Sequence, residues 1–158
     1  MKEFWDNSPL HRQDIEIFVN GRVEPSPYFD GINTYWIGFR QGIPFSFILS
    51  HEESEETGCP ESYKPFLSRT GKTVGLDFAI GAPAFLSKGL AAPTLQAFMD
   101  FYRQEVDLAT DTFLIDPFIH NPRAIHVYQK AGFKIVSNFI QQLGSFDQSE
   151  GVLLSIKL

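Results

Sequence analysis

The chain has 158 residues, of which 43% are hydrophobic and 20% charged, with 16 Phe, 5 Tyr and 2 Trp, a composition that builds a packed core and excludes a disordered segment. The formal net charge is −6 with no basic run, which excludes a duplex nucleic-acid binder and suits a cationic small molecule as well as simple solubility. No apolar run reaches the ~18 residues of a membrane span, and Met1–Asp6 lack an apolar signal core.

In chain order, residues 8–19 predict a helix, with Ser8 as cap and Pro9 in its first turn. Residues 33–40 and 44–50 predict two strands joined at Gln41-Gly42 as a hairpin. Residues 52–71 are polar with Gly and Pro and predict a loop that can close over a site. In 73–80, Val74, Leu76, Phe78 and Ile80 alternate with Thr73, Gly75, Asp77 and Ala79, the period of a strand. A helix is predicted from about 88 to 106, with Leu95, Phe98, Met99, Tyr102 and Val106 as its apolar stripe and Pro93 in its first turn. A strand at 111–116 follows, then a helix opened by Asn121-Pro122 and closed by Gly132. Strands at 133–142 and 150–158, with a turn near Gly144-Ser145, complete an αββ–βαβα–ββ order. That order predicts a mixed α/β fold, and the absence of linkers and repeats predicts one domain over 1–158.

Two segments stand out chemically. Leu86-Ser87-Lys88-Gly89-Leu90-Ala91 joins a strand to a helix, where small residues admit a close ligand and a helix N-terminus suits phosphate. It is equally an ordinary strand-to-helix turn. Asp77 is a carboxylate in mid-strand, on the face opposite Val74 and Leu76, which is unusual unless it lines a cleft or edge. Glu52, Glu53, Glu55 and Glu56 form an acidic cluster that a cation would relieve, although a solvated loop explains it too. Trp36 and Tyr35 point to opposite faces of their strand, so one walls a site only if the other packs. His120 and His126 lack metal-site spacing, and no metal is expected. Cys59, the only cysteine, allows no internal disulfide and has no evident base partner. A cytoplasmic setting is expected from it. No Gly-x-Ser-x-Gly elbow is present.

Asn121-Pro-Arg-Ala-Ile-His-Val-Tyr-Gln-Lys-Ala-Gly-Phe133, some 30 residues after the Lys88-Gly89-x-Ala91 turn, resembles the GNAT superfamily of N-acetyltransferases. With Gly75-Leu-Asp-Phe-Ala-Ile-Gly81 and Asp116-Pro117, it is similar to one branch. That branch contains aminoglycoside 6′-N-acetyltransferases and relatives that acetylate hydroxylysine in siderophore synthesis. The resemblance implies a mostly antiparallel sheet with a central splayed pair of parallel strands, flanked by helices, and acetyl-coenzyme A as co-substrate.

It also implies roles for particular residues. Backbone groups of Lys88, Gly89 and Ala91, with the Ser87 hydroxyl, would hold the coenzyme A pyrophosphate. Backbone groups near Phe78 and Ile80 would pair with the pantetheine arm, one N–H polarising the thioester carbonyl. Asn121, a helix cap in any case, would contact the pantetheine amides. Tyr128, seven residues on, falls two turns along the same face and would protonate the departing thiolate. Asp77 would orient the acceptor amine and take its proton, and Asp116, also a turn-forming Asp-Pro, would bind the cationic acceptor. Trp36, from its place on the strand at 33–40 and not from the resemblance, is the further candidate for the acceptor site.

Two departures accompany the resemblance. Leu86 stands where the phosphate turn usually opens with Gln or Arg. The chain also begins directly in the segment that relatives place after a first strand and helix, as a trimmed member or an incomplete frame would. An edge left bare in this way suits a homodimer as well as a monomer. The expected acceptor is a small cationic amine such as an aminoglycoside. A hydroxylysine-like siderophore precursor, a protein amine, and a non-catalytic acyl-CoA-binding module are the alternatives.

Overall fold

The computed structural model describes residues 6, 8–23, 26–141 and 147–158. Helix α1 spans Pro9–Val19, and the Ser8 side chain accepts from the His11 N–H at 3.2 Å as its cap. The helix buries Asp14 completely. Arg22 donates to that carboxylate at 2.6 Å, and the Ser26 and Tyr35 hydroxyls donate to it as well. One acid thus ties helix, following loop and first strand together.

Strands β1 (Thr34–Arg40) and β2 (Ile43–Glu53) form the expected hairpin. Gln41 and Gly42 both have positive φ, +52° and +75°, as a two-residue hairpin turn requires. β2 runs three residues beyond its predicted end at Ser50. Glu52 and Glu53 are therefore strand residues, and Glu52 pairs with Lys72 at 3.1 Å. β3 (Lys72–Ile80) lies antiparallel to β2 and parallel to β4 (Thr110–Ile115).

Helix α2 covers Ala91–Phe101 and continues as a π turn through Tyr102–Val106, a shorter α-helix than the predicted 88–106. Ser87 and Gly89 have φ of +57° and +71°, left-handed values that cannot begin a right-handed helix. Leu95, Phe98 and Met99 are buried as the stripe predicts, whereas Val106 is exposed because the wider π turn rotates it out of line. Helix α3 spans Pro122–Lys130, and Gly132 follows it at φ +108°. β5 (Lys134–Ile140) and β6 (Glu150–Lys157) complete one six-stranded sheet in the order β1-β2-β3-β4-β6-β5. The turn expected near Gly144-Ser145, and position 142 of the expected strand, lie outside the described residues.

The main core lies between one sheet face and helices α2 and α3, around Val74, Leu76, Leu95, Met99, Phe113 and Ile115. On the other face Tyr63, Leu114 and Leu153 form a smaller cluster that pins down the segment after β2. Among the described residues no helix is long and apolar enough to cross a membrane.

One irregularity shapes everything else. Pairing between the parallel strands ends at Leu76↔Ile115. β3 continues alongside β2 as far as Ile80. The chain after β4 stays instead with β6: Val152 N–H donates to Pro117 C=O at 2.9 Å, and Ile119 N–H donates to Glu150 C=O at 3.0 Å. Each strand is held by its outer neighbour, and the sheet opens between them.

Candidate active site

The opening leads into a cleft of about 1540 Å³, larger than the ~300–1,000 Å³ of an ordinary small-molecule pocket. Phe78, Ala79 and Ile80 line one wall, and Pro117, Asn121, Ala124 and Tyr128 another. The register fixes where the β3 peptide groups point. Gly81 N–H donates to Phe45 C=O, which makes 45/81 a hydrogen-bonded pair, and by alternation 47/79 and 49/77 are the same. The backbone N–H and C=O of Phe78 and Ile80 therefore face away from β2, across the opening.

At one end, Leu86 and Ala91 line the cleft and the intervening Ser87, Lys88 and Gly89 are exposed. Leu90, the cap residue of α2, offers no side-chain acceptor. The first turn bonds through Thr94 N–H to Leu90 C=O at 3.0 Å, so the N–H groups of Ala91 and Ala92 have no intrahelical partner. Arg123 lines the same end, its Nη2 3.5 Å from Ser87 Oγ. Arg123 stands inside the Asn121–Phe133 motif, but sequence reasoning attached no role to it. Asn121 caps α3 through its side-chain oxygen, which accepts from Ala124 N–H at 3.1 Å, and it lines the cleft.

The other end is acidic. Asp77 and Asp116 come together there with His51, Glu53 and Tyr63. Asp77 is surrounded by protein but open to the water of the cleft. Burial raises its pKa, and the nearby His51 opposes that rise. Asp116 is pushed up to about 7, first by burial and then by the charge of Asp77. Tyr128 is 7% exposed, and burial followed by the charges of Asp77 and Asp116 raises its hydroxyl well above the ordinary tyrosine value. Its proton is therefore firmly held at neutral pH. Burial and the Asp116 charge do the same to Tyr63.

Trp36 is not among these residues. It pairs with Ile48 on the core face, donates its indole N–H to Ser50 Oγ at 2.8 Å, and packs on Phe98, Phe101 and Tyr102 beneath α2. Tyr35, on the opposite face, is taken by Asp14. Of the acidic cluster, Glu53 enters the cleft, whereas Glu55 and Glu56 are exposed on the turn that follows. Sequence reasoning missed His51 and Tyr63. Period two continued from Leu49 through His51 to Glu53 would have found the first. Nothing local marks Tyr63, which tertiary packing on Phe139 brings in. Among the described residues no group of three or more His, Cys, Asp or Glu is arranged to hold a metal ion.

A cleft that runs between two parted parallel strands, with helix N–H groups at one end and ionisable side chains at the other, has room and chemistry for two substrates. That is the architecture of a group-transfer enzyme. The chain belongs to the acetyltransferase (GNAT) domain family, whose model matches residues 20–140.

Solved structures agree. The aminoglycoside N(6′)acetyltransferase from Legionella pneumophila is 29% identical with a TM-score of 0.66, over 92% of this chain and 70% of that one. An uncharacterised protein from Bacillus halodurans is 27% identical with a TM-score of 0.69, over 98% and 70% of the two chains. The aminoglycoside acetyltransferase AAC(6′)-Ib, solved with coenzyme A and kanamycin, shares the fold at 19% identity, with a TM-score of 0.69 over 98% and 80%. The chain is accordingly an N-acetyltransferase.

Proposed function

We propose that the chain transfers the acetyl group of acetyl-coenzyme A to a small cationic amine of the aminoglycoside kind, directly, with both substrates in the one cleft. The observation that carries this reading is the polarity of the cleft: backbone donors and Arg123 at one end, Asp77, Asp116 and Glu53 at the other. Coenzyme A fits the donor-rich end. Its pyrophosphate suits the N–H groups of the 86–92 turn, the Ser87 hydroxyl, Lys88 and Arg123. Its pantetheine amides suit the outward peptide groups of Phe78 and Ile80, with Asn121 across the gap.

The acceptor binds as an ammonium against Asp77 and Asp116. One proton leaves its nitrogen for Asp77 or water. The free amine attacks the thioester carbon, the carbon–sulfur bond breaks, and the thiolate takes the Tyr128 proton. The nitrogen gives up its remaining extra proton, through water, to the Tyr128 phenolate, which restores the acid. Burial keeps Tyr128 protonated at neutral pH, so its hydroxyl has a proton to give as the sulfur leaves. Much of the rate comes from holding two reactants in line, and no step calls for a metal.

Several carboxylates at the acceptor end favour a polyamine-like acceptor over an amino acid such as hydroxylysine, whose own carboxylate they repel. Tyr128 and Asp77 both face the cleft, which favours turnover over passive binding. The test is thiol release from acetyl-coenzyme A with aminoglycosides, N6-hydroxylysine, polyamines and short peptides. Turnover with an aminoglycoside, lost in Tyr128→Phe and Asp77→Asn, supports the reading. Turnover with a peptide alone replaces it.

A further inference from the structure

The cleft face of β2 carries Leu49, His51 and Glu53 at alternate positions, and the last two touch. His51 Nε2 lies 2.8 Å from Glu53 Oε1. The Glu53 side chain is 6% exposed and that of His51 is 23% exposed. Gly75 stands opposite His51 in the ladder. A Cβ there would lie 2.8 Å from His51 Nε2 and 2.9 Å from Glu53 Oε1, so the pair occupies space that only glycine leaves.

The neighbours of this pair are the acids of the proposed reaction. Asp77 lies two residues along β3 from Gly75, on the same face. Asp116 reaches the pair from beyond β4, and Tyr63 faces Asp116 from the segment after β2. Tyr28 and His11 approach Asp77 from the N-terminal side. Burial disfavours a charged imidazole, but the Glu53 hydrogen bond and charge, then Asp77 and Asp116, outweigh it and raise the His51 pKa. A buried ion pair is a poor source of stability, since apolar residues of similar volume often do better. Its position among three carboxylates suggests another use.

We propose that His51, locked on Glu53 in the gap left by Gly75, is a positioning residue that keeps Asp77 ionised at the acceptor end of the cleft. The proposal rests on the acetyltransferase reading of that cleft. Without the imidazolium, Asp77 stands beside Glu53 and Asp116 with no cation between them, and neighbouring like charges favour protonation. A protonated Asp77 can neither hold an ammonium nor take its proton. With the imidazolium in place, the group is poised before any amine arrives.

The test has two arms. In the first, NMR titration of the free protein follows the His51 imidazole and the Asp77 carboxyl in wild type, His51→Gln, Glu53→Gln and Gly75→Ala. Glu53→Gln is expected to lower the His51 midpoint, and His51→Gln to raise that of Asp77. Gly75→Ala keeps every charge but pushes the pair apart, and is expected to move both midpoints in the same directions. In the second arm, the acidic limb of kcat/KM moves to higher pH in His51→Gln, so that the variant loses about tenfold more activity at pH 6 than at pH 9. An Asp77 midpoint unchanged in His51→Gln overturns the proposal, as does an equal loss of activity at both pH values. If no amine is acetylated, the function reading fails while the first arm still decides the fate of the pair.

Discussion

Asp77 and Asp116 are the first residues after the last paired position of the two parallel strands, Leu76↔Ile115. Had the ladder continued, they would have faced each other across it. Because the strands part at that point, both carboxylates stand at the fork, and the charge of one raises the pKa of the other. The place where the sheet opens and the place where negative charge collects are therefore the same.

Asp77→Asn removes the proposed base with little change of shape. Its kcat/KM is expected to fall by about 10²–10⁴-fold, the usual worth of a positioned base. Steady-state kinetics across pH check this, and the residual activity should lack the acidic limb.

Tyr128→Phe removes only a hydroxyl from a buried ring. The expected outcome is a kcat lower by about 10²-fold or more with the KM for acetyl-coenzyme A nearly unchanged. A poorer thiol leaving group should widen the gap between variant and wild type.

Asp116→Asn predicts opposite effects on stability and binding. The folded chain keeps the Asp116 proton up to about pH 7, whereas an unfolded chain releases it near pH 4. Between these values the unfolded state binds fewer protons, so this residue costs stability as pH rises. Thermal melting of the free protein at pH 8 should show Asp116→Asn more stable by about 1–3 kcal/mol, with little difference at pH 4 or below. Calorimetry should show weaker binding of the amine.

Asp14→Ala leaves Arg22 without its carboxylate and the Ser26 and Tyr35 hydroxyls without their acceptor. Denaturant unfolding should show a loss of about 3–5 kcal/mol. Asp14→Asn should lose less, because the amide oxygen still accepts.

Local signals made much of this molecule legible in its sequence. The Ser8 cap, the Gln41-Gly42 turn, the alternation of β3 and the Asn121-Pro122 helix start each depend on a few adjacent residues. The end of β2 was not legible, because His51-Glu52-Glu53 has the composition of a loop. Contacts across the sheet make it a strand: Lys72 answers Glu52, and Gly75 leaves room for the other two. Trp36 and Tyr35 show a related limit. Alternation says that they oppose each other, but only the register with β2, together with the position of α2, says which faces the core. Ser87 and Gly89 end a helix prediction that residue type alone extends to 88, since the backbone there turns left-handed.

The parted strands divide the cleft into halves that respond differently to mutation. Along β3 the wall presents main-chain groups, which every residue other than proline supplies alike, so substitutions at Phe78 or Ile80 alter packing before they alter the donors on offer. At the acidic end the walls are side chains, and single exchanges at 51, 53, 77 or 116 rewrite charge and shape outright. Drift in sequence can therefore remodel the acidic end while leaving the main-chain donors of β3 in place.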